Sequence, residues 1–240
     1  MEPNDNAVLI NYVLQLAEKD NNKQAITIIN MLQSIPPYNS PNLTNHMKEL
    51  ISLVLSLITI KDHIWFMIRT IFNENVGWAI PSEKAIQTIY NWVKQKQIKY
   101  PSVKLIDIGA GSGIWELLLH DAGLPIETLV AIDLIPDKKT HKFNHTYWPI
   151  TEVVDTDTYQ VAIHDILFIA WGFGTENILE DYINKGGSYV ILLGERKGGC
   201  TYPGSDYFVG KDKWIIEEVY VTPSCSFYSE LLTLNVRDKL

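Results

Sequence analysis

The sequence is poor in cysteine and contains no long apolar run. Its two cysteines, Cys200 and Cys225, form neither a disulfide framework nor a metal-ligand set, so we expect a cytoplasmic protein without a metal site. The most apolar stretch, residues 50–60, is interrupted by serines and is shorter than the roughly 20 residues that a membrane-spanning helix needs. The first five residues are polar and acidic, which is not typical of a signal peptide. We therefore expect a soluble protein with no membrane partner.

Basic residues are also in the minority. Lys and Arg number 20 against 28 Asp and Glu, which gives a net charge of −8. Without a broad positive field, DNA or RNA is not expected as the main partner, although a local basic groove stays open. The hydrophobic fraction of 46% is ordinary for a folded protein, and 240 residues suffice for one large domain or for a core with an appendage.

The N-terminal third predicts helices and little strand. Apolar residues recur at helical spacing in four stretches, near residues 8–17, 25–32, 42–57 and 61–72. A fifth helix begins at Pro81, since proline is tolerated in the first turn. We expect residues 1–76 to form a separate helical region that serves as a cap or as a surface for a partner protein.

After Pro101 the pattern changes to strands alternating with helices. The alternation predicts a Rossmann-like α/β domain over residues 77–240, with a doubly wound and mostly parallel sheet. The last two strands are expected to form an antiparallel edge. The predicted strands are 104–109, 129–133, 146–154, 165–170, 188–193, 214–221 and 227–236, with helices at 113–122 and 175–184.

A glycine motif separates the first strand from the helix that follows it. The motif reads Asp107-x-Gly109-x-Gly111-x-Gly113. Glycines at such a turn let the backbone bend tightly and bring a ligand close to the N–H groups of a helix N-terminus. A dinucleotide fingerprint needs Gly or Ala where Ile114 stands, so a nicotinamide-dependent oxidoreductase is disfavoured.

With its acid two residues before the first glycine, the motif resembles the first motif of class I S-adenosylmethionine-dependent methyltransferases. The resemblance implies S-adenosylmethionine (SAM) as the cofactor. It implies that Asp107 faces the methionine portion of SAM and that Gly109, Ala110, Gly111 and Gly113 contact the cofactor.

An acid also ends the second predicted strand, 20 residues beyond Gly113. In nucleotide-binding folds a carboxylate at this place accepts the ribose hydroxyls of an adenosine, so we assign that role to Asp133. Leu134 or Ile135 would then lie against the adenine ring, with an ordinary core role as the alternative.

Two further segments resemble those of one little-characterised methyltransferase-like family, over roughly residues 77–236. They are Trp78-Ala79-Ile80-Pro81 and Gly194-Glu195 with Gly198-Gly199-Cys200-Thr201. The resemblance implies that Trp78 and Pro81 cover the cofactor; the alternative for Trp78 is a core aromatic residue.

The sequence departs from that family after the fourth strand. The family has a Trp-Pro-Pro turn, whereas this chain reads Trp171-Gly172 and lacks both prolines. The change weakens the case for an exocyclic nitrogen of a base as the methyl acceptor. It also keeps a second hypothesis open, a non-catalytic SAM-binding module whose helical N-terminus engages a partner protein.

Methyl transfer requires few catalytic side chains, because the work is mostly positioning and removal of water. A general base is needed only for a weakly acidic acceptor. Glu195 and Asp165 are the candidate bases, and Trp171 and Tyr202 are expected to line the substrate side. The predicted function is methyl transfer from SAM to a small-molecule or protein acceptor.

Overall fold

The chain begins with five helices. The computed structural model describes residues 5–57, 63–134, 145–154, 159–172, 175–196, 201–222 and 230–237. Side chains cap two of the helices: the Asn22 side chain accepts the backbone N–H of Ala25, and Ser82 Oγ accepts that of Ala85. The helices are α1 (Asp5–Lys19), α2 (Lys23–Gln33), α3 (Leu43–Leu57), α4 (His63–Asn75) and α5 (Glu83–Lys99).

A seven-stranded sheet follows, in the order β3-β2-β1-β4-β5-β7-β6. The first five strands of the chain are parallel, and β7 runs antiparallel to both β5 and β6. The Rossmann-like, doubly wound α/β fold predicted from the sequence is thereby confirmed. The strands are β1 (Leu105–Ile108), β2 (Leu129–Leu134), β3 (Ile150–Val153), β4 (Ile166–Ala170), β5 (Tyr189–Glu195), β6 (Trp214–Val221) and β7 (Glu230–Arg237); α6 (Ile114–Asp121) and α7 (Glu176–Asn184) complete the fold, with a 3₁₀ turn at Ile126–Thr128.

Helices cover both faces of the sheet, as a parallel sheet requires. Ile106 and Ile108 of β1 pack in one cluster with α7, whereas Leu105 packs in another with α6. That second cluster is continuous from the N-terminal helices through α5 and α6 to the sheet. The N-terminal helices therefore share a core with the sheet; the division into residues 1–76 and 77–240 stays a prediction.

One predicted strand begins later than expected. The strand predicted at 146–154 is confined to Ile150–Val153, because the preceding backbone bonds to the glycine turn: the Tyr147 N–H donates to the carbonyl of Ser112 at 2.6 Å. The predicted start of the last strand, residue 227, lies outside the described residues. None of the helices in the described segments combines the length and the apolar character needed to cross a bilayer.

Candidate functional site

The glycine turn lies at the carboxyl ends of β1 and β2. Gly109, Gly111 and Gly113 have φ angles of +78°, +61° and +75°, a region that glycine enters without steric cost. The N–H groups of Gly109 and Ala110 both donate to the carbonyl of Ile132, at 2.9 and 3.0 Å. The turn therefore stands at the edge of the sheet where doubly wound folds bind their ligands.

Two of these glycines have opposite surroundings. Apart from Gly109 itself and its two chain neighbours, a Cβ atom placed on Gly109 would come within 4 Å of no atom of the described residues, so the space beside it is open. A Cβ on Gly113, at the start of α6, would lie 2.5 Å from the Cβ of Trp148 and 3.2 Å from Cδ1 of Ile150. Gly109 thus leaves room for a ligand, while Gly113 lets the chain around Trp148 pack against the turn.

Asp133 holds the turn from the end of β2. Its Oδ2 accepts the N–H of Gly111 at 2.6 Å, and its Oδ1 accepts the N–H of Leu134 at 2.7 Å. Each carboxylate oxygen can accept a second hydrogen bond, so this geometry is compatible with the predicted ribose contact. Leu134 is half-buried, and Ile135 lies outside the described residues.

A pair of buried carboxyl groups lies between β1 and α6. Asp107 and Glu116 are each 1% exposed. None of their four oxygens accepts a hydrogen bond from elsewhere in the described residues. Burial raises the pKa of Asp107 well above its usual value, and the charges of Glu116 and Asp133 add to this; burial also raises the pKa of Glu116 to about 7. Sequence reasoning missed Glu116, although an acid within the apolar run 114–119 was a signal.

Aromatic side chains meet beside the end of β4. Trp171, which follows β4, has a φ of +59° and donates its N–H to the carbonyl of Leu193 at 2.7 Å. The ring of Trp78 stacks on that of Trp171, with centroids 6.3 Å apart and planes 18° apart. The Arg69 guanidinium lies 5.8 Å from the Trp171 ring centroid, within reach of a cation–π interaction. Trp78 is 41% exposed and so is not a core aromatic residue.

The turn after Trp171 is fixed by packing in place of the missing prolines. A Cβ on Gly172 would lie 2.7 Å from Cγ2 of Ile169 and 3.0 Å from Oγ1 of Thr175. Its carbonyl accepts the N–H of Tyr202 at 2.9 Å, and the Tyr202 side chain is 55% exposed. Trp171 and Tyr202, both predicted on the substrate side, are therefore brought together.

The two candidate bases lie at opposite ends of the parallel strands. Glu195 is the last residue of β5, at the same edge as the glycine turn, and is buried. Asp165 precedes β4, and its Oδ1 accepts the backbone N–H of Lys104, which precedes β1, at 2.9 Å. Asp165 therefore lies at the amino ends of the strands, and its predicted role as a catalytic base has no support in this placement.

Pro81 also lies away from the turn. It is buried and lines a groove of about 480 Å³ together with Ile51 of α3 and, towards the carboxyl end of α6, Leu118 and Ala122. The predicted role of Pro81 over the cofactor has no support in this placement. Gly198, Gly199 and Cys200 of the second family-like segment lie outside the described residues.

Hydrogen bonds join the end of α4 to the glycine turn. Ser112 Oγ donates to the carbonyl of Val76, and Tyr147 Oη donates to that of Asn75 at 2.6 Å. Burial raises the pKa of Tyr147, so its hydroxyl keeps its proton at neutral pH. The N-terminal helices are thus connected directly to the candidate site. Within the described segments, no three His, Cys, Asp or Glu side chains are grouped to hold a metal.

Comparison with known proteins finds similarity in structure only. No protein-family model matches the sequence, and no curated protein sequence is significantly similar to it. The narrower resemblance based on residues 78–81 and 194–201 therefore stays a prediction.

Methyltransferases are among the structurally similar chains. One is the magnesium protoporphyrin IX methyltransferase of Synechocystis PCC 6803 with bound SAM, at 15% identity over 65% of this chain and 79% of that chain, with a TM-score of 0.41. Another is the O-methyltransferase of Bacillus cereus in complex with S-adenosylhomocysteine (SAH), at 10% identity over 77% of this chain and 90% of that chain, with a TM-score of 0.45. A plantazolicin methyltransferase in complex with a monoazolic desmethyl analogue and SAH is 9% identical over 82% of this chain and 98% of that chain, with a TM-score of 0.41.

Proposed function

We propose that this chain is a SAM-dependent methyltransferase that acts on a small-molecule or protein acceptor. The observation that carries the proposal is the open space beside Gly109, in a left-handed glycine turn at the carboxyl ends of β1 and β2. Since an added Cβ would meet no other part of the described chain there, the turn keeps a surface of bare backbone available to a ligand.

The polar groups around this space fit the two ends of SAM. Asp133 is half-buried at the end of β2, and its carboxylate would accept the ribose hydroxyls. Asp107, whose carboxyl group accepts no hydrogen bond from the described residues other than Glu116, would face the methionine portion. Gly109, Ala110, Gly111 and Gly113 would contact the cofactor through their backbone, with Leu134 beside the adenine. When bound, SAM supplies an activated methyl group on a sulfonium centre.

The residues at the ends of β4 and β5 would form the acceptor side. The stacked Trp78 and Trp171 together with the exposed Tyr202 offer apolar and aromatic surface that orients an acceptor and displaces water. Glu195, at the end of β5, is the remaining candidate base for an acceptor that must lose a proton.

The alternative is a SAM-binding module that transfers no methyl group. The observation that favours it is Gly172, which stands where the resembled family has a proline, together with the direct connection between α4 and the glycine turn. In that case residues 1–76 would present a protein partner with a surface that responds to the cofactor.

Two measurements separate these hypotheses. Titration of the full chain with SAH tests cofactor binding, and incubation with methyl-labelled SAM and pools of small molecules or proteins tests transfer. SAH binding with labelled product supports the enzyme. SAH binding without product from any pool supports the module, and the absence of SAH binding contradicts both.

A further inference from the structure

We propose that Asp107 and Glu116 share one proton in the cofactor-free protein, and that the ammonium group of the bound cofactor releases this proton to solvent. The inference rests on the proposed function, because it concerns the methionine end of SAM or SAH. It assigns Glu116 as a cofactor-binding residue beside Asp107.

Burial of the two carboxyl groups indicates that they share a proton. Two carboxyl groups, each 1% exposed, face one another from β1 and α6. Neither accepts a hydrogen bond from elsewhere in the described residues. Two buried carboxylates with no cation repel each other strongly, and they can hydrogen-bond only if one of them carries a proton. The cofactor-free pair therefore holds one proton and a single negative charge.

The surrounding charges do not remove this need for a proton. The neighbouring charge that acts on Asp107 from β2 is another carboxylate, Asp133. On the other side, β4 contributes only the apolar residues 166–170. Lys48 of α3 is paired with Asp121, at the far end of α6. In keeping with this, burial raises the pKa of both groups, that of Glu116 to about 7.

The position of the pair relative to the glycine turn indicates that the cofactor's ammonium group would act on it. Asp107 lies two residues before Gly109, and Glu116 lies three residues after Gly113. The alternation of β1 places Asp107 on the face that α6 covers, so both carboxyl groups lie beneath the turn that we assign to the cofactor. SAM and SAH each carry an ammonium group on their amino-acid portion. Binding of that group would favour the doubly ionised pair, and one proton would leave for the buffer.

Calorimetric titration with SAH in buffers of different ionisation enthalpy measures the proton directly. The full chain is expected to release about one proton per SAH at roughly pH 6, and its affinity should rise about tenfold per pH unit up to about pH 7. In Glu116→Gln the amide hydrogen-bonds Asp107 without a shared proton. This variant should release clearly less than one proton, and its affinity should change less with pH over the same range, because burial of Asp107 still raises its pKa.

The controls separate this inference from the proposed function. Glu127→Gln, which removes an exposed carboxylate, should behave as the unmodified chain does. 5′-Methylthioadenosine lacks the ammonium group and should bind without releasing a proton. SAH binding with no proton release, or with the same pH dependence in Glu116→Gln, overturns the inference and leaves the proposed function intact. Absence of SAH binding overturns the proposed function.

A measurement without ligand tests the shared proton alone. Because the folded protein binds this proton more tightly than the unfolded chain does, its contribution to stability is complete at low pH. The contribution is lost as the pH rises through the raised pKa, so the free energy of unfolding should fall between about pH 5 and pH 7. Glu116→Gln should lessen this fall. An equal fall in both proteins would contradict the shared proton.

Discussion

Replacing Gly109 and Gly113 separately by alanine should distinguish a glycine kept for a ligand from one kept for folding. Both have positive φ angles, +78° and +75°, so each alanine costs about 1–2 kcal/mol of backbone strain. Gly109→Ala adds no overlap among the described residues. We therefore expect it to lower the free energy of unfolding by only about 1–2 kcal/mol.

Gly113→Ala should cost more, because its Cβ would lie 2.5 Å from the Cβ of Trp148 and 3.1 Å from the backbone N of Trp148. Overpacking of this kind costs about 1–3 kcal/mol in addition to the backbone strain. The sum is a loss of about 2–5 kcal/mol, visible as a large decrease in the urea midpoint.

Cofactor affinity should follow the opposite order at the pH and temperature where both variants are folded. In Gly109→Ala the new methyl group would occupy the space assigned to the cofactor. A cost of about 1–3 kcal/mol there corresponds to an SAH affinity that is roughly 5- to 150-fold weaker by calorimetry. If Gly109→Ala binds SAH as the unmodified chain does, the open space is not the cofactor site. If Gly113→Ala is as stable as Gly109→Ala, the packing assigned to Trp148 is wrong.

Three further substitutions test the surroundings of the turn. Asp133→Ala should weaken SAH binding about ten- to a hundredfold, because hydrogen bonds to a charged group contribute about 1.5–3 kcal/mol. Asp133→Asn, which keeps one acceptor, should weaken SAH binding less. An unchanged dissociation constant in both variants would mean that another residue contacts the ribose. Trp78→Ala should weaken SAH binding with little change in melting temperature, since Trp78 is 41% exposed. In the unmodified chain, hydrogen exchange over residues 74–84 should slow when SAH is added. A large loss of stability with unchanged affinity in Trp78→Ala would make Trp78 a packing residue. Gly172→Ala should destabilise the fold by about 1–3 kcal/mol in urea denaturation, because its Cβ would overlap Ile169; a neutral result would contradict the tight turn.

The sequence predicted the features that depend on local pattern. The positive φ angles of Gly109, Gly111 and Gly113 follow from glycine at a strand-to-helix turn. The place of Asp133 follows from the end of one apolar strand. The alternation of strands and helices likewise fixes a mostly parallel sheet, since crossover connections leave few other topologies.

The features that sequence reasoning missed depend on contacts between distant segments. Glu116 meets Asp107 only because α6 packs on the face of β1 that carries this acid. Likewise, Trp78 stacks on Trp171 through the packing of the segment after α4 against the end of β4. No periodicity in the sequence encodes either contact.

The separation of Asp165 from Glu195 could have been predicted from the sequence alone. Asp165 and Glu195 are both candidate bases from the sequence. In a parallel sheet the two ends of a strand lie at opposite edges, and Asp165 begins β4 whereas Glu195 ends β5. The direction of the chain was therefore sufficient to exclude Asp165 from the edge that carries the glycine turn.

Calorimetric titration of the full chain with SAH, alongside an identical titration with NAD, tests the central claim most directly. The geometry of the glycine turn and Asp133 predicts saturable SAH binding with a dissociation constant in the micromolar range and no heat of binding from NAD. Tight binding of NAD without any response to SAH would contradict the assignment of this site to SAM.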